Sequence, residues 1–232
     1  MIGVLDSGSG GLSVLSAIRK KTPHADVLYL GDIMNAPYGG KSQEELATLT
    51  ADAIRRLQEG GADKIVSACN SVSASLAISL FDTLDIAGDS LIEMAGPTVS
   101  GFRNGGERVL LCATPATVRS GLYQNGFRMI GKDIEALAIS ELAGAIEFGA
   151  PDAEIESVVR EAFADVRLGD FDTLVLGCTH YPLAMRAFEN VLGERVRIFD
   201  PAEAVAKRVE ERFGERERNG GGTLRFLITK DS

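Results

Sequence analysis

At 232 residues the chain can form one large domain or two smaller ones, and 45% hydrophobic with 25% charged residues is the balance of a folded globular protein, which excludes disorder. Acidic residues outnumber basic ones, 33 to 24, and the net charge of -9 excludes a nucleic-acid partner, because backbone phosphates demand basic patches. No apolar run reaches the roughly 18 residues of a membrane span, so no membrane partner is expected. The opening residues lack the basic start and long apolar core of a signal peptide. Three widely spaced cysteines do not form a disulfide framework, and free thiols in the cytoplasm are the simplest expectation.

Short apolar runs alternate with helix-period segments along the chain. Ile2–Asp6 predicts a buried strand, followed by a helix over Gly11–Lys21 and a strand over Asp26–Gly31. A helix over Ser42–Glu59, a strand over Lys64–Ala68, a helix over Ser71–Leu84 and a strand over Ser90–Glu93 follow. After a division near Glu93–Pro97 the rhythm resumes. It predicts a strand over Arg108–Ala113, a helix over Pro115–Gly126, a strand over Ile134–Ala138 and a helix over Ala153–Val166. A strand over Thr173–Gly177, a helix over Pro182–Val191, a strand over Arg195–Phe199 and a helix over Pro201–Phe213 follow in turn. Gly-rich residues after Phe213 lead to one more strand, expected to return to the first half.

This βαβα order indicates an α/β fold with helices on both faces of parallel sheets, and continuous apolar runs mark the strands as buried. Ala68-Cys69-Asn70-Ser71 and Gly177-Cys178-Thr179-His180 echo one another: an apolar strand, a cysteine, then a helix start. A duplicated α/β unit, with strand ends facing across a cleft, accounts for the echo. The expected division is 1–93 plus 199–232 for a discontinuous first domain and 94–198 for the second.

Ligands of open α/β sheets bind beyond the carboxyl ends of the strands, near unpaired helix N–H groups. Asp6 closes the first strand before Gly8-Ser9-Gly10-Gly11. Read as a dinucleotide fingerprint, with Asp32 as a ribose ligand, this loop lacks its third glycine, since Ser13 stands there. Asp6 would also meet an approaching pyrophosphate with like charge. A simple tight turn and a loop whose N–H groups bind a carboxylate are the other readings.

Cys112, inside Val109-Leu110-Leu111-Cys112, reads as a small core hydrophobe. Cys69 and Cys178 each follow a strand and precede a helix start, where the helix N-terminus draws a thiol pKa from about 8.5 towards neutrality. Such thiols suit proton transfer. A Cys178–His180 nucleophile is a competing reading, but it leaves Cys69 idle. A zinc site is the other competitor, and the close C-x-x-C ligand spacing it wants is absent, so no metal is expected. His24 reads as an exposed loop residue.

These residues resemble the aspartate/glutamate racemase family, and within it the glutamate racemases. The resemblance rests on Gly3-Val4-Leu5-Asp6-Ser7-Gly8-Ser9-Gly10-Gly11-Leu12, Tyr29-Leu30-Gly31-Asp32, Ala36-Pro37-Tyr38-Gly39, Ala68-Cys69-Asn70-Ser71, Thr114 with Thr117, and Gly177-Cys178-Thr179-His180-Tyr181-Pro182-Leu183. Asn35 stands where the family pattern has Arg, Ser71 where Thr is usual, and the segment Ala138–Ile146 before Glu147 lacks the prolines of that pattern.

The resemblance implies two pseudosymmetric Rossmann-like α/β domains with the active site in the cleft between them, and no cofactor. It implies Cys69 and Cys178 as acid/base catalysts, assisted by Asp6 and His180, with Glu147 behind His180. Ser7, Pro37, Tyr38, Gly39, Asn70, Ser71, Thr114, Thr117 and Thr179 would hold an amino-acid substrate, glutamate first. A homodimer and a role in peptidoglycan supply follow from the same resemblance. Racemisation on aspartate or another amino acid, a one-thiol decarboxylase or isomerase of a small diacid, and an inactive amino-acid-binding protein are the alternatives.

Overall fold

The computed structural model describes residues 1–76, 88–215, 217 and 220–229. The first half comprises β1 (Ile2–Asp6), α1 (Leu12–Lys21), β2 (Val27–Gly31), α2 (Gln43–Glu59), β3 (Lys64–Ser67), α3 (Asn70–Leu76) and β4 (Leu91–Ile92). Then come α4 (Ala95–Ser100), β5 (Val109–Ala113), α5 (Pro115–Ser120), α6 (Leu122–Met129), β6 (Glu135–Ala138) and α7 (Leu142–Glu147). The chain continues through α8 (Asp152–Ala162), β7 (Thr173–Gly177), α9 (Met185–Leu192), β8 (Arg197–Phe199), α10 (Ala202–Phe213) and β9 (Leu224–Ile228).

Two parallel sheets result, ordered β4-β3-β1-β2-β9 and β6-β5-β7-β8. Read from its other edge, the second sheet runs β8-β7-β5-β6, which repeats the β4-β3-β1-β2 order of the first. Cys69 and Cys178 follow the equivalent strands β3 and β7. The sequence echo is therefore a topological one.

The strands form where apolar residues run unbroken. Every residue of β1, β2, β5 and β7 is buried, because each has a strand on both sides and helices on both faces. Side chains alternate across a strand. Val4 of β1 packs with Val14 and Ile18 of α1 and Val205 and Val209 of α10, while its neighbour Leu5 packs with Ile54 and Leu57 of α2. In the second sheet Leu174 and Leu176 meet Val159 and Phe188 on one face, and Val175 meets Phe102 and Phe127 on the other. Each such side chain contributes about 1.5–3 kcal/mol when taken from water. Ser42 starts α2 with a capping box, its hydroxyl accepting from the Glu45 N–H while the Glu45 carboxylate accepts from the Ser42 N–H.

Several elements differ from the sequence expectation. The strands at Ile134–Ala138 and Arg195–Phe199 are edge strands, β6 and β8, with Glu135, Ala138 and Arg197 exposed, because each has one neighbour only. The helix expected over Pro115–Gly126 breaks into α5 and α6 at Gly121, whose φ of +66° is left-handed. A 3-10 turn, Tyr181–Ala184, precedes α9, and two short helices, α4 and α7, lie where none is expected. Of the helix predicted over Ser71–Leu84, residues 77–84 lie outside the described residues. The final strand, β9, pairs with β2 on the edge of the first sheet.

Candidate active site

In each sheet the chain leaves the central strand in two directions. β1 is flanked by β2 and β3, and β5 by β6 and β7, so a crevice opens at the carboxyl ends between β1 and β3 and between β5 and β7. The two crevices meet in one narrow cavity lined from both halves. Ser7 after β1 and Cys69, Asn70 and Ser71 after β3 line it from the first half. Pro37, Tyr38 and Gly39, on the loop after β2, close one side. Thr114 after β5, and Cys178, Thr179 and His180 after β7, line it from the second half. A larger groove, about 230 Å³, lies against Pro23, His24 and the end of α10, but neither thiol lines it.

Three expected residues stand behind the wall rather than on it. The Asp6 carboxylate, fully buried, accepts the Gly8 N–H at 2.8 Å and the Thr179 hydroxyl at 3.1 Å. Thr117 shares a 3.1 Å hydrogen bond with Thr114, whose hydroxyl also meets that of Ser71 at 3.1 Å. Glu147 is hydrogen-bonded to His180 Nε2, and His180 Nδ1 faces the Cys178 sulfur at 3.9 Å. On the opposite wall, the Cys69 thiol donates to Ser7 Oγ at 3.6 Å.

The glycine loop settles among its three readings. It does bind carboxylates, and they are the protein's own: Gly8 N–H binds Asp6, and Ser9 N–H binds Glu147 at 3.0 Å. Those donors are thus engaged where a pyrophosphate would need them. A Cβ at Gly10 would lie 2.7 Å from His180 Nδ1 and 2.8 Å from Thr179 Oγ1, so the second half approaches the loop too closely for a side chain.

Charge in the site follows from burial and pairing. Burial, then the charge of Asp6, pushes the Cys69 thiol up to about 12, against the lowering by its hydrogen bonds with Val72 N–H and Ser7. The lowering expected from a helix N-terminus is outweighed there by desolvation. Burial also raises the Asp6 carboxyl above the ordinary range, against the charge of His180 and the Gly8, Gly11 and Thr179 hydrogen bonds. Burial opposes the His180 charge, yet hydrogen bonds with Cys178 and Glu147 raise its pKa to about 11. The His180 bond holds Glu147 down at about 2 despite burial, with the Ser9 bonds helping.

Sequence reasoning missed three contributors and, for Asp32, weighed only a ribose-ligand role. Ala143, on α7, lines the cavity, and Ser9 holds Glu147. Tyr123, buried on α6, donates to Asn70 Oδ1 at 2.5 Å, which leaves Asn70 Nδ2 as a buried donor without a partner at the cavity. Asp32 accepts the Tyr38 hydroxyl at 2.5 Å and both Asn35 and Thr229, so it fixes the loop that carries Pro37–Gly39. Only the amphipathic placement of Tyr123 carried any signal, since hydroxyl partners across halves leave no pattern in the chain. His24 is exposed and Cys112 is wholly buried in the core. Among the described residues no group of three or more His, Cys, Asp or Glu side chains is arranged to hold a metal. No helix among them is long and apolar enough to cross a membrane.

Known proteins share this architecture. Residues 2–209 match the family described as Asp/Glu/Hydantoin racemase. A glutamate racemase of Aquifex aeolicus (strain VF5) is 35% identical over 231 residues, covering 100% of this chain and 89% of that protein. The crystal structure of the glutamate racemase isoform RacE1 from Bacillus anthracis superposes with a TM-score of 0.89 at 29% identity, covering 100% of this chain and 89% of that one. The glutamate racemase of Francisella tularensis subsp. tularensis SCHU S4, solved in complex with D-glutamate, gives a TM-score of 0.87 at 28% identity over 100% of this chain and 88% of that one. Two repeated α/β units with a thiol from each at one cavity, and matches over nearly the full length, place the chain: it belongs to the Asp/Glu/hydantoin racemase family.

Proposed function

We propose that this protein interconverts L- and D-glutamate without a cofactor, using Cys69 and Cys178 as acid/base groups on opposite faces of the substrate α-carbon. The observation that carries this reading is that two thiols, each after an equivalent strand of a different sheet, line one small cavity. Inversion at carbon needs a proton taken from one face and another returned to the other. One group must therefore start as an acid while its opposite number starts as a base.

The surroundings supply that asymmetry. Cys69 stays protonated at neutral pH and is fit to donate. His180, bonded to Glu147, faces Cys178, which in this reading would start as the base. One turnover exchanges the two thiol states, and the reverse turnover restores them. The α-carbanion-like transition state places charge on the substrate carboxylate. Asn70 Nδ2 and the hydroxyls of Ser71 and Thr114 would receive that carboxylate, while Thr179, its hydroxyl given to Asp6, would line the site beside Cys178. Asp6 and Thr117 act through Thr179 and Thr114, and Ser7, Pro37, Tyr38 and Gly39 complete the enclosure. As in the glutamate racemases it resembles, the product would supply peptidoglycan, with the protein acting in the cytoplasm as a homodimer. Three free, buried cysteines suit that compartment.

Proton NMR of each glutamate enantiomer in D₂O, with reduced protein and no added cofactor, tests the reading. Loss of the α-proton signal with inversion is expected from both. Exchange on aspartate alone would change the substrate, and no exchange on any amino acid would refute the reaction.

A further inference from the structure

Ser9 lies on the loop between β1 and α1, outside the cavity wall, and the chemistry above gives it no task. It nevertheless makes three contacts with one carboxylate from the other half. Its hydroxyl donates to Glu147 Oε2 at 2.8 Å, and its N–H lies 3.0 Å from Oε2 and 3.2 Å from Oε1. Oε2 is also the atom bonded to His180 Nε2, and the far side of that ring faces Cys178. Ser9, Glu147, His180 and Cys178 thus form one unbroken series ending at a single thiol.

The loop is shaped for this approach. A Cβ at Gly8 would sit 2.7 Å from the Glu147 carboxylate, so a neighbouring side chain would displace the acid that Ser9 holds. Other hydroxyls near the loop are engaged elsewhere: Tyr29 donates to the Gly8 carbonyl at 2.7 Å, Ser13 to the Gly10 carbonyl at 3.0 Å and Thr179 to Asp6. Asp6, Cys178 and Glu147 are the charged or titratable groups acting on His180, while His180 and Tyr29 are those coupled to Glu147. Ser9 is therefore the uncharged element that fixes the carboxylate plane, and it does so from the opposite half. The series is complete only when the halves are together.

We infer that Ser9 is a positioning residue: its hydroxyl holds Glu147 so that Glu147 fixes His180 against Cys178, tuning one of the two thiols and not the other. The inference rests on the two-thiol reading of the cavity. Because enantiomers have equal free energy, kcat/KM must fall equally in both directions whichever thiol is affected. The asymmetry appears instead in the isotope effect for the enantiomer whose α-proton Cys178 removes.

A double-mutant cycle of Ser9→Ala and Glu147→Gln tests this, with Ser9→Thr as the conservative variant. Ser9→Ala should lower kcat about tenfold with KM unchanged, since a hydrogen bond to a charged group is lost while the N–H contacts remain. The α-deuterium effect should rise for one enantiomer only, Ser9→Thr should restore the wild-type values, and Ser9→Ala should have no further effect in Glu147→Gln. The chain has two histidines, so His24→Gln identifies the His180 ring signal in NMR titrations. Ser9→Ala should lower its midpoint from about 11, but only when Glu147 is present. An equal loss of kcat in both Glu147 backgrounds, a KM effect alone, or an unmoved His180 midpoint would overturn the inference. A wild-type protein that exchanges no α-proton would refute the reaction instead, and the His180 titration would still decide Ser9.

Discussion

The hydroxyl of Thr179 donates to the carboxylate of Asp6 at 3.1 Å across a sequence separation of 173 residues, joining the carboxyl end of β1 to the loop after β7. Asp6 takes the Gly8 N–H with its other oxygen, so one buried carboxylate ties together the glycine loop, the first sheet and the residue beside Cys178. The hydroxyl pair of Ser71 and Thr114 and the hydrogen bond from Tyr123 to Asn70 make two more ties between the halves. Polar bonds line the seam where an apolar interface would leave nothing to hold a charged substrate.

Asp6→Asn keeps the shape and removes the charge. Since that charge helps raise the Cys69 thiol, the substitution should lower it from about 12 and let Cys69 react at lower pH. Iodoacetamide alkylation against pH, in a Cys178→Ser background, should show a midpoint displaced downward. Racemisation should fall about a hundredfold, the lower end of what a proton-transfer group supplies. An unmoved alkylation midpoint would detach Asp6 from Cys69.

Single thiol replacements should separate the two faces. Cys69→Ser and Cys178→Ser should each reduce racemisation at least about a thousandfold. Each should still wash deuterium into one enantiomer with retention of configuration, and the two variants should choose opposite enantiomers. Racemisation at the wild-type rate by both variants would end the two-base assignment.

The central strands were legible because burial on both faces leaves continuous apolar runs such as Val109–Ala113. The edge strands were legible as strands but not as edges, since a run such as Arg195–Phe199 does not say how many neighbours it has. Gly121 could be read as tolerated within a helix, and only its left-handed backbone separates α5 from α6. Both thiols and His180 stood out by their places after strands. Ser9 and Tyr123 did not, because a hydroxyl whose partner lies more than 50 residues away has no local signature. Their roles depend on how the halves meet, which the spacing within either half does not encode.

Gly39 marks that meeting in a way a substitution can reveal. A Cβ there would lie 2.7 Å from Thr114 Cγ2 and 2.8 Å from its Cβ, and the Gly39 carbonyl accepts the Ala116 N–H at 2.9 Å. Thr114 is pinned by Ser71 and Thr117 and has little freedom to yield. Gly39→Ala should therefore wedge the cleft, raising KM about tenfold or more and costing about 1–3 kcal/mol of stability. Gly40→Ala, whose Cβ would meet nothing within 4 Å, is the control and should change neither. Equal behaviour of the two variants in KM and thermal midpoint would show that the seam tolerates a methyl group.

The His180–Glu147 pair predicts how stability depends on pH. His180 is raised from its ordinary 6.5 to about 11 in the fold, so its contribution is complete below about 6.5 and is lost as pH rises through about 11. Glu147 is lowered from 4.5 to about 2, so its contribution is complete above about 4.5 and is lost as pH falls through about 2. Glu147→Gln removes the anion, lets His180 release its proton at lower pH, and should move the alkaline loss of stability downward. Urea midpoints measured from pH 5 to 11 should show the wild type furthest above the variant at about pH 5 to 6.5, with the two converging as pH rises towards about 11. Parallel curves over that span would mean that the buried pair does not hold the proton on His180.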